Sequence, residues 1–430
     1  MRARAELFEH ETIRVGEPLR GGDGAVLRAK DFDALVRFND AHGGKYFEVG
    51  HKRIKLTQYV GYLEVGELAI EVLPKADRER VAQGEASVWR AALLDMLQIA
   101  ADIRLESPDA ASQTMGRSSL LDLIALRFVE EVTRLLREGL VKGYRDEEVN
   151  GATYRGRLMV AAHLRENLVR ADRFYVRCQT YDRDTPVNRI VATALHAMEG
   201  LAISPSIASR AALCRAQLGE LTPVRPTREL FDRVRLGRAT ARYATALTLA
   251  RMILERRSPT LRGGAVEVFA LLFDMNVLWE RFISVMFRRA VPADLVVSTQ
   301  ENRGFWRSES RAARRVRPDL VVRSRETGEV VLVADTKWKV LRKSTPGDED
   351  LRQMFVYNEL FGASRSWLLY PSVTFAAHAT GSYDGRVHGC STVHLGLLAG
   401  SAWSVATVRE QVRTLLAGLS GGAGATIGSE

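Results

Sequence analysis

Residues 317 to 339 read Arg-Pro-Asp-Leu-Val-Val-Arg-Ser-Arg-Glu-Thr-Gly-Glu-Val-Val-Leu-Val-Ala-Asp-Thr-Lys-Trp-Lys. Two apolar runs, residues 320–322 and 330–334, flank a short turn that contains Gly328, and this pattern predicts a β-hairpin. Asp335 and Lys337 stand two residues apart at the end of the second run. On a strand they share one face. The register decides where Asp319 points. With an odd loop, such as residues 326–328, Asp319 lies opposite Asp335. With a two-residue Thr327-Gly328 turn it lies opposite Thr336 and points away, unless a bulge restores the face. An odd loop or a bulge is therefore expected.

Two carboxylates and a lysine in this setting suit phosphodiester hydrolysis. That reaction needs charge stabilisation at phosphorus and an activated water. Mg²⁺, or Mn²⁺ in its place, does both and prefers carboxylate oxygens, here Asp319 and Asp335. Lys337 is the candidate to orient or deprotonate the water. Taken alone, a P-D followed by a D-x-K is common by chance. Downstream, residues 350–361 have the pattern of a helix, on which Gln353 and Tyr357 share a face four residues apart. A capping box between Asp350 as N-cap and Gln353 would explain the glutamine but not the tyrosine. Upstream, a helix expected from about residue 265 to 289 carries Glu280 in an apolar neighbourhood, a candidate third carboxylate for the metal. Residues 303 to 317 hold six arginines with Phe305 and Trp306. Arg314, Arg315 and Arg317, with Lys339, are candidate nucleic-acid contacts.

Working outward, 430 residues allow two or three domains. The net charge of +10 fits a polyanionic partner, although an Arg- and Ala-rich composition also follows from a GC-rich genome. Cys178, Cys214 and Cys390 are far apart and form no C-x-x-C pair, as in a reducing, cytoplasmic setting. No secretory h-region and no apolar run long enough for a membrane span is apparent. Residues 1–84 read as β-rich, with a helix at 29–41 and strand runs punctuated by Gly50, Gly61 and Gly66. Residues 85–260 read as helical, with helices expected at 118–140, 188–201 and 237–256. Residues 257–264 resemble a linker. Residues 261–417 read as a mixed α/β sheet domain, and 418–430 as a disordered tail. The fold class expected is multidomain α/β.

The P-D, D-x-K and Q-x-x-x-Y order resembles the RecB-like branch of the PD-(D/E)xK nucleases. The wider chain resembles the McrC family, nuclease subunits of McrBC-type modification-dependent restriction systems. The matching pieces are residues 61–66 and 70–75, Tyr154-Arg-Gly-Arg-Leu158, Asp184-Thr-Pro-Val-Asn188-Arg189, Met275-Asn-Val-Leu-Trp-Glu280 and the nuclease set, with Trp338 where a tyrosine is usual. The resemblance implies a restriction-endonuclease-like C-terminal domain acting on DNA for anti-phage defence. It also implies an McrB-like hexameric AAA+ GTPase partner, engaged and stimulated by the N-terminal region. The chain agrees by omission, because Gly43-Gly44-Lys45-Tyr46 lacks the spacing and hydroxyl of a P-loop, so this chain by itself is expected to bind no nucleotide. Two other readings stay open: a stand-alone repair nuclease, and a non-catalytic activator of an NTPase ring.

Overall fold

The computed structural model describes residues 3–21, 24–75, 85–100, 120–201, 203–225, 227–255, 268–307, 313–339, 341, 345–375 and 379–420. The chain forms two compact units. One comprises residues 1–117 and 262–430, the other residues 118–261. The boundary read from sequence at 84 falls inside the first unit, and the one at 260 lies beside the division at 261. The linker expected at 257–264 lies outside the described residues. Gly418 to Ser420, expected in a disordered tail, instead finish the helix Val405–Ser420, and 421–430 lie outside the described residues.

The first unit contains a strand-rich N-terminal region. Ala3–Phe8 pairs in parallel with Leu68–Leu73, which forms an antiparallel hairpin with Tyr59–Val65. The fourth strand of this sheet is Val268–Asp274, antiparallel to Tyr59–Val65. This corrects the single helix expected over about 265–289. The run Phe269 to Phe273 is buried throughout, and a short apolar run has no periodicity to separate strand from helix. Gly61 carried the missed signal. Its φ is +138°, and a Cβ there would stand 2.0 Å from the Leu271 carbonyl oxygen. A glycine inside a strand often marks such a close backbone approach. A smaller sheet, Thr12–Arg14, Arg53–Leu56 and Phe47–Gly50, and the helix Ala29–Ala41, at the expected residues, complete this region.

The C-terminal part of the same unit is a six-stranded mixed sheet. Its order is Leu295–Thr299, Leu320–Ser324, Val330–Thr336, Arg365–Ser372, Gly389–Gly396 and Thr380–Ser382. The second strand runs antiparallel to both the first and the third; the third, fourth and fifth run parallel. The helix Asp348–Phe361 lies between the third and fourth strands in the chain. It packs Met354, Tyr357 and Phe361 against Val321, Val333, Leu368 and Tyr370. The helix Met275–Ala290 packs against the third strand as well. Its Trp279 is fully buried and donates to the Leu369 carbonyl at 3.3 Å. Truncating so large a buried side chain typically costs about 3–5 kcal/mol.

The second unit has helices Leu120–Glu138, Pro186–Met198, Pro205–Leu218 and Ala244–Glu255. It is not purely helical, as the sequence suggested. Gly143–Gly151 and Phe174–Asp182 form a nine-residue antiparallel ribbon, joined by Arg157–Leu158. The first of these strands, Gly-Tyr-Arg-Asp-Glu-Glu-Val-Asn-Gly, has no apolar alternation to betray it. Across the ribbon Glu148 pairs with Arg177 at 2.6 Å, and the Tyr144 ring packs on Tyr181. In the Tyr154-to-Leu158 segment, Gly156 has φ +89°, and a Cβ would meet the Arg177 carbonyl at 2.3 Å. Asn188 is fully buried. It donates to the carbonyls of Val141 and Arg183 and accepts from the Tyr243 hydroxyl. Among the described residues no helix is long and apolar enough to cross a membrane, and the three cysteines are free and buried.

Candidate functional site

The hairpin resolves its register with a bulge. Leu320 pairs with Ala334, Val321 with Val333 and Val322 with Leu332, and the register then shifts so that Arg323 pairs with Val330. The extra residue is Val331. Continuing the pairing by one residue sets Asp319 opposite Asp335, the geometry that an odd loop or a bulge would allow. Strand alternation then puts Asp319, Asp335 and Lys337 on the face of Val321 and Val333, which the helix Asp348–Phe361 covers.

On that face the side chains form a closed hydrogen-bond chain. Lys337 Nζ lies 2.7 Å from Asp335 Oδ2 and donates to Gln353 Oε1 at 2.9 Å. Gln353 Nε2 donates to Asp335 Oδ1 at 3.2 Å and to the Tyr357 hydroxyl at 2.7 Å. The Tyr357 hydroxyl donates to the Arg317 carbonyl at 3.2 Å, beside Asp319. Every polar atom of the Gln353 amide is engaged, as a buried polar network requires. The capping box is absent. The helix starts at Asp348 with Gly347 as its N-cap and no side-chain cap. Asp350 is instead buried in the first turn, 2.5 Å from Lys339 Nζ, 3.7 Å from Lys337 Nζ, and accepting from the Tyr370 hydroxyl at 3.2 Å. Lys339, read as a nucleic-acid contact, is thus paired within the protein.

Sequence reasoning missed three further partners. Thr336 donates to Asp319 Oδ2 through both its amide and its hydroxyl, each at 2.7 Å. Gln300 adopts φ +57°, which is uncommon for a residue other than glycine. Its amide donates to the Asp319 carbonyl at 3.2 Å, and its side chain donates to Glu280. Glu9, at the end of the first strand, accepts from the Trp338 indole at 2.7 Å and from the Lys75 amide at 2.9 Å. Trp338 also packs edge-on against Trp279, with ring centroids 5.5 Å apart. None of the three carries a motif; each is defined by a contact between segments distant in the chain.

Electrostatically the site is crowded with acid. Burial and then the neighbouring Asp319 push the Asp335 carboxyl up to about 6. Burial, then Asp319, push Glu280 up to about 7. Burial likewise raises Asp319, against the hydrogen bonds of Thr336. Burial opposes the charge on Lys337, but Asp335, Asp350 and Asp319 outweigh it and hold its ammonium above the usual range. An oxygen-only set of mutually repelling carboxylates suits a hard divalent cation. Among the described residues no group of three or more acidic, histidine or cysteine side chains is placed to hold a metal ion. The two opposed aspartates could supply the one or two carboxylates that Mg²⁺ usually takes from protein, with water and phosphate in the rest of its shell.

The arginines divide. Arg314 and Arg315 lie exposed on a two-stranded ribbon, Arg303–Arg307 with Ala313–Val316. Phe305 and Trp306 are exposed on the partner strand. Arg303 is engaged: it donates to the Leu360 carbonyl and sits 4.5 Å over the Phe361 ring. Arg317 is exposed beside Asp319. Residues 308–312, with Arg311, lie outside the described residues.

A family model, McrBC 5-methylcytosine restriction system component, matches residues 54–371. The chain belongs to that family. The resemblance to McrC read from the motifs agrees with it. No curated protein matches the chain. Among solved structures, the chain is similar to one in the refined half-complex from the tetradecameric assembly of Thermococcus gammatolerans McrB AAA+ hexamers with bound McrC. Identity is 20%, coverage is 97% of this chain and 100% of that one, and the TM-score is 0.68, which supports the fold. A chain of the Thermococcus gammatolerans McrBC complex, also 20% identical, matches with TM-score 0.48 over 67% of this McrBC component and 88% of that chain.

Proposed function

We propose that this McrBC component is the nuclease subunit of its system, a metal-dependent DNA endonuclease of the PD-(D/E)xK type. The observation that carries the reading is the bulged hairpin that sets Asp319 opposite Asp335, with Lys337, Gln353 and Tyr357 closed into one hydrogen-bond chain on the same face. Asp319 and Asp335 are the residues to hold Mg²⁺ or Mn²⁺, with Glu280 beside them. A divalent cation there supplies positive charge against the phosphate and lowers the pKa of water.

The protein's own groups do the positioning. Lys337 keeps its proton among three carboxylates. In that state it offsets phosphate charge and donates a hydrogen bond to the incoming water. Gln353 fixes the lysine by accepting from it and fixes Asp335 by donating to it. Tyr357 holds Gln353 and ties the network to the backbone at Arg317, and Thr336 holds one Asp319 oxygen in place. Such preorganisation is the form in which electrostatic stabilisation is most effective.

The partner on this reading is an McrB-like AAA+ GTPase, with residues 1–84 the segment proposed to engage it; the Thermococcus assembly, by its description, holds McrC bound to McrB AAA+ hexamers. The test is plasmid cleavage in Mg²⁺ with the full chain, an McrB-like GTPase and GTP. Wild type should cut and Asp335→Ala should not. Cutting without the partner would favour a stand-alone nuclease, and identical behaviour of the two proteins would leave only an adaptor role.

A further inference from the structure

Next to Glu280 opens a cleft of about 570 Å³ that the hydrogen-bond chain does not use. Its walls include Glu280, Arg281, Arg288, Thr299, Gln300 and Arg317. Arg281 and Arg288 are exposed on the helix Met275–Ala290. Seven residues apart, they stand on one helix face, separated by about 10.5 Å. Neither forms an ion pair with a described carboxylate. Arg288 Nε donates to the Ser284 carbonyl at 3.3 Å, within its own helix.

We propose that this cleft is the track for the DNA strand at the Glu280 side of the site, with Arg281 and Arg288 as phosphate contacts and Arg317 joining them at the scissile end. The inference rests on the nuclease reading for its direction, since the track leads to Glu280. Three arguments select a DNA strand as the occupant. First, the guanidiniums are spread over two helical turns instead of converging on one point, which suits a linear polyanion and not a single phosphate. Second, one strand of duplex DNA presents a phosphate about every 3.4 Å of axis, so the Arg281–Arg288 spacing spans roughly three steps. Third, arginine presents a rigid fork of donors matched to phosphate oxygens. Thr299 and Ser284 in the walls add neutral hydrogen-bonding groups. The sequence placed the nucleic-acid contacts on the Arg303-to-Arg317 stretch; this cleft adds a second set on a helix.

The test is fluorescence anisotropy of a labelled DNA duplex with the full chain, without divalent metal, from about 50 to 300 mM salt. Each lost phosphate contact should lower the slope of log K against log salt by about 0.9. The Arg281→Ala/Arg288→Ala double variant should therefore lose nearly 2 from its slope. Its affinity should fall by about 10- to 100-fold at the middle of that range. Arg281→Lys/Arg288→Lys should keep most of the slope, and Arg413→Ala, an exposed arginine outside the cleft, should behave as wild type. Thermal midpoints should not move, because both arginines are exposed. An unchanged slope in the double alanine variant overturns the proposal, as does wild-type binding that is absent or insensitive to salt. Equal dependence on RNA and DNA duplexes would overturn the choice of DNA. Plasmid cleavage separates this from the nuclease reading. Cutting by wild type with no slope change sinks the track alone. A slope change in a chain that never cuts sinks the nuclease alone.

Discussion

Asp184, in the second unit, and Asp335, in the first, are both acidic side chains bonded to cations, and their surroundings push them in opposite directions. Asp184 takes two hydrogen bonds from Arg189, at 2.7 and 2.8 Å, and two from Thr222, at 3.0 and 2.6 Å. Arg189 holds its carboxyl well below the usual range. Asp335 also has a cation at 2.7 Å and an amide at 3.2 Å, yet burial and Asp319 push it up to about 6. The difference is burial first and the company of other acids second. At Asp184 the donors satisfy the charge; at Asp335 one lysine is divided among Asp335, Asp350 and Asp319. A pair of the first kind holds a fold together. A cluster of the second kind is short of positive charge, which the divalent cation proposed above would supply.

Several substitutions would break or sharpen that contrast. The largest effect is expected at the crowded site. On the nuclease reading, Asp335→Asn should lower plasmid cleavage at least about a hundredfold, while its thermal midpoint should not fall, because a crowded charge is removed. A midpoint drop like that of an Asp184 variant would break the contrast. Asp184→Asn should destabilise the protein on the order of 2–3 kcal/mol in urea unfolding, because it strips Arg189 of its partner.

Glu9 offers a pH test away from the metal candidates. Burial lifts its carboxyl to about 7, opposed by the Lys75 amide and Trp338 and aided by the nearby Asp274; His10 lies 3.8 Å away. A carboxyl that ionises less readily folded than unfolded keeps its proton in the native state. Stability is then greatest below the unfolded value of about 4.5 and falls as pH rises toward 7, by at most on the order of 3 kcal/mol. Glu9→Gln should flatten this fall in thermal midpoints measured from pH 4.5 to 8; an unchanged slope would show that Glu9 does not titrate there. The smallest effect is expected at the exposed Glu148–Arg177 pair. There Arg177→Ala should leave the midpoint where it is in physiological salt.

The same division shows in how legible the molecule was. The hairpin, the shared face of Asp335 and Lys337 and the Gln353–Tyr357 face were readable, because each depends on backbone periods of two or nearly four. The strand Val268–Asp274 was misread as helix because an apolar run buried on both sides has no period, although Gly61 on its partner signalled a close approach. The strand Gly143–Gly151 was invisible because it has no apolar alternation: Tyr144 and Val149 are its only large apolar residues. The expected capping box failed because the helix begins two residues earlier, at Asp348, which moves Asp350 into the first turn and toward two lysines.

By itself the sequence determined which chemical groups the hairpin and the following helix carry, their order, and which of them share a face. Those properties follow from covalent spacing and local geometry alone. Only the tertiary structure decided that a bulge at Val331 turns Asp319 toward Asp335, that Gln300 ties the Glu280 side chain to the Asp319 backbone, and that Glu9 reaches Trp338 from a distant segment. It also decided the charge state, because desolvation and Coulomb repulsion depend on distances and burial that arise only when remote segments pack together.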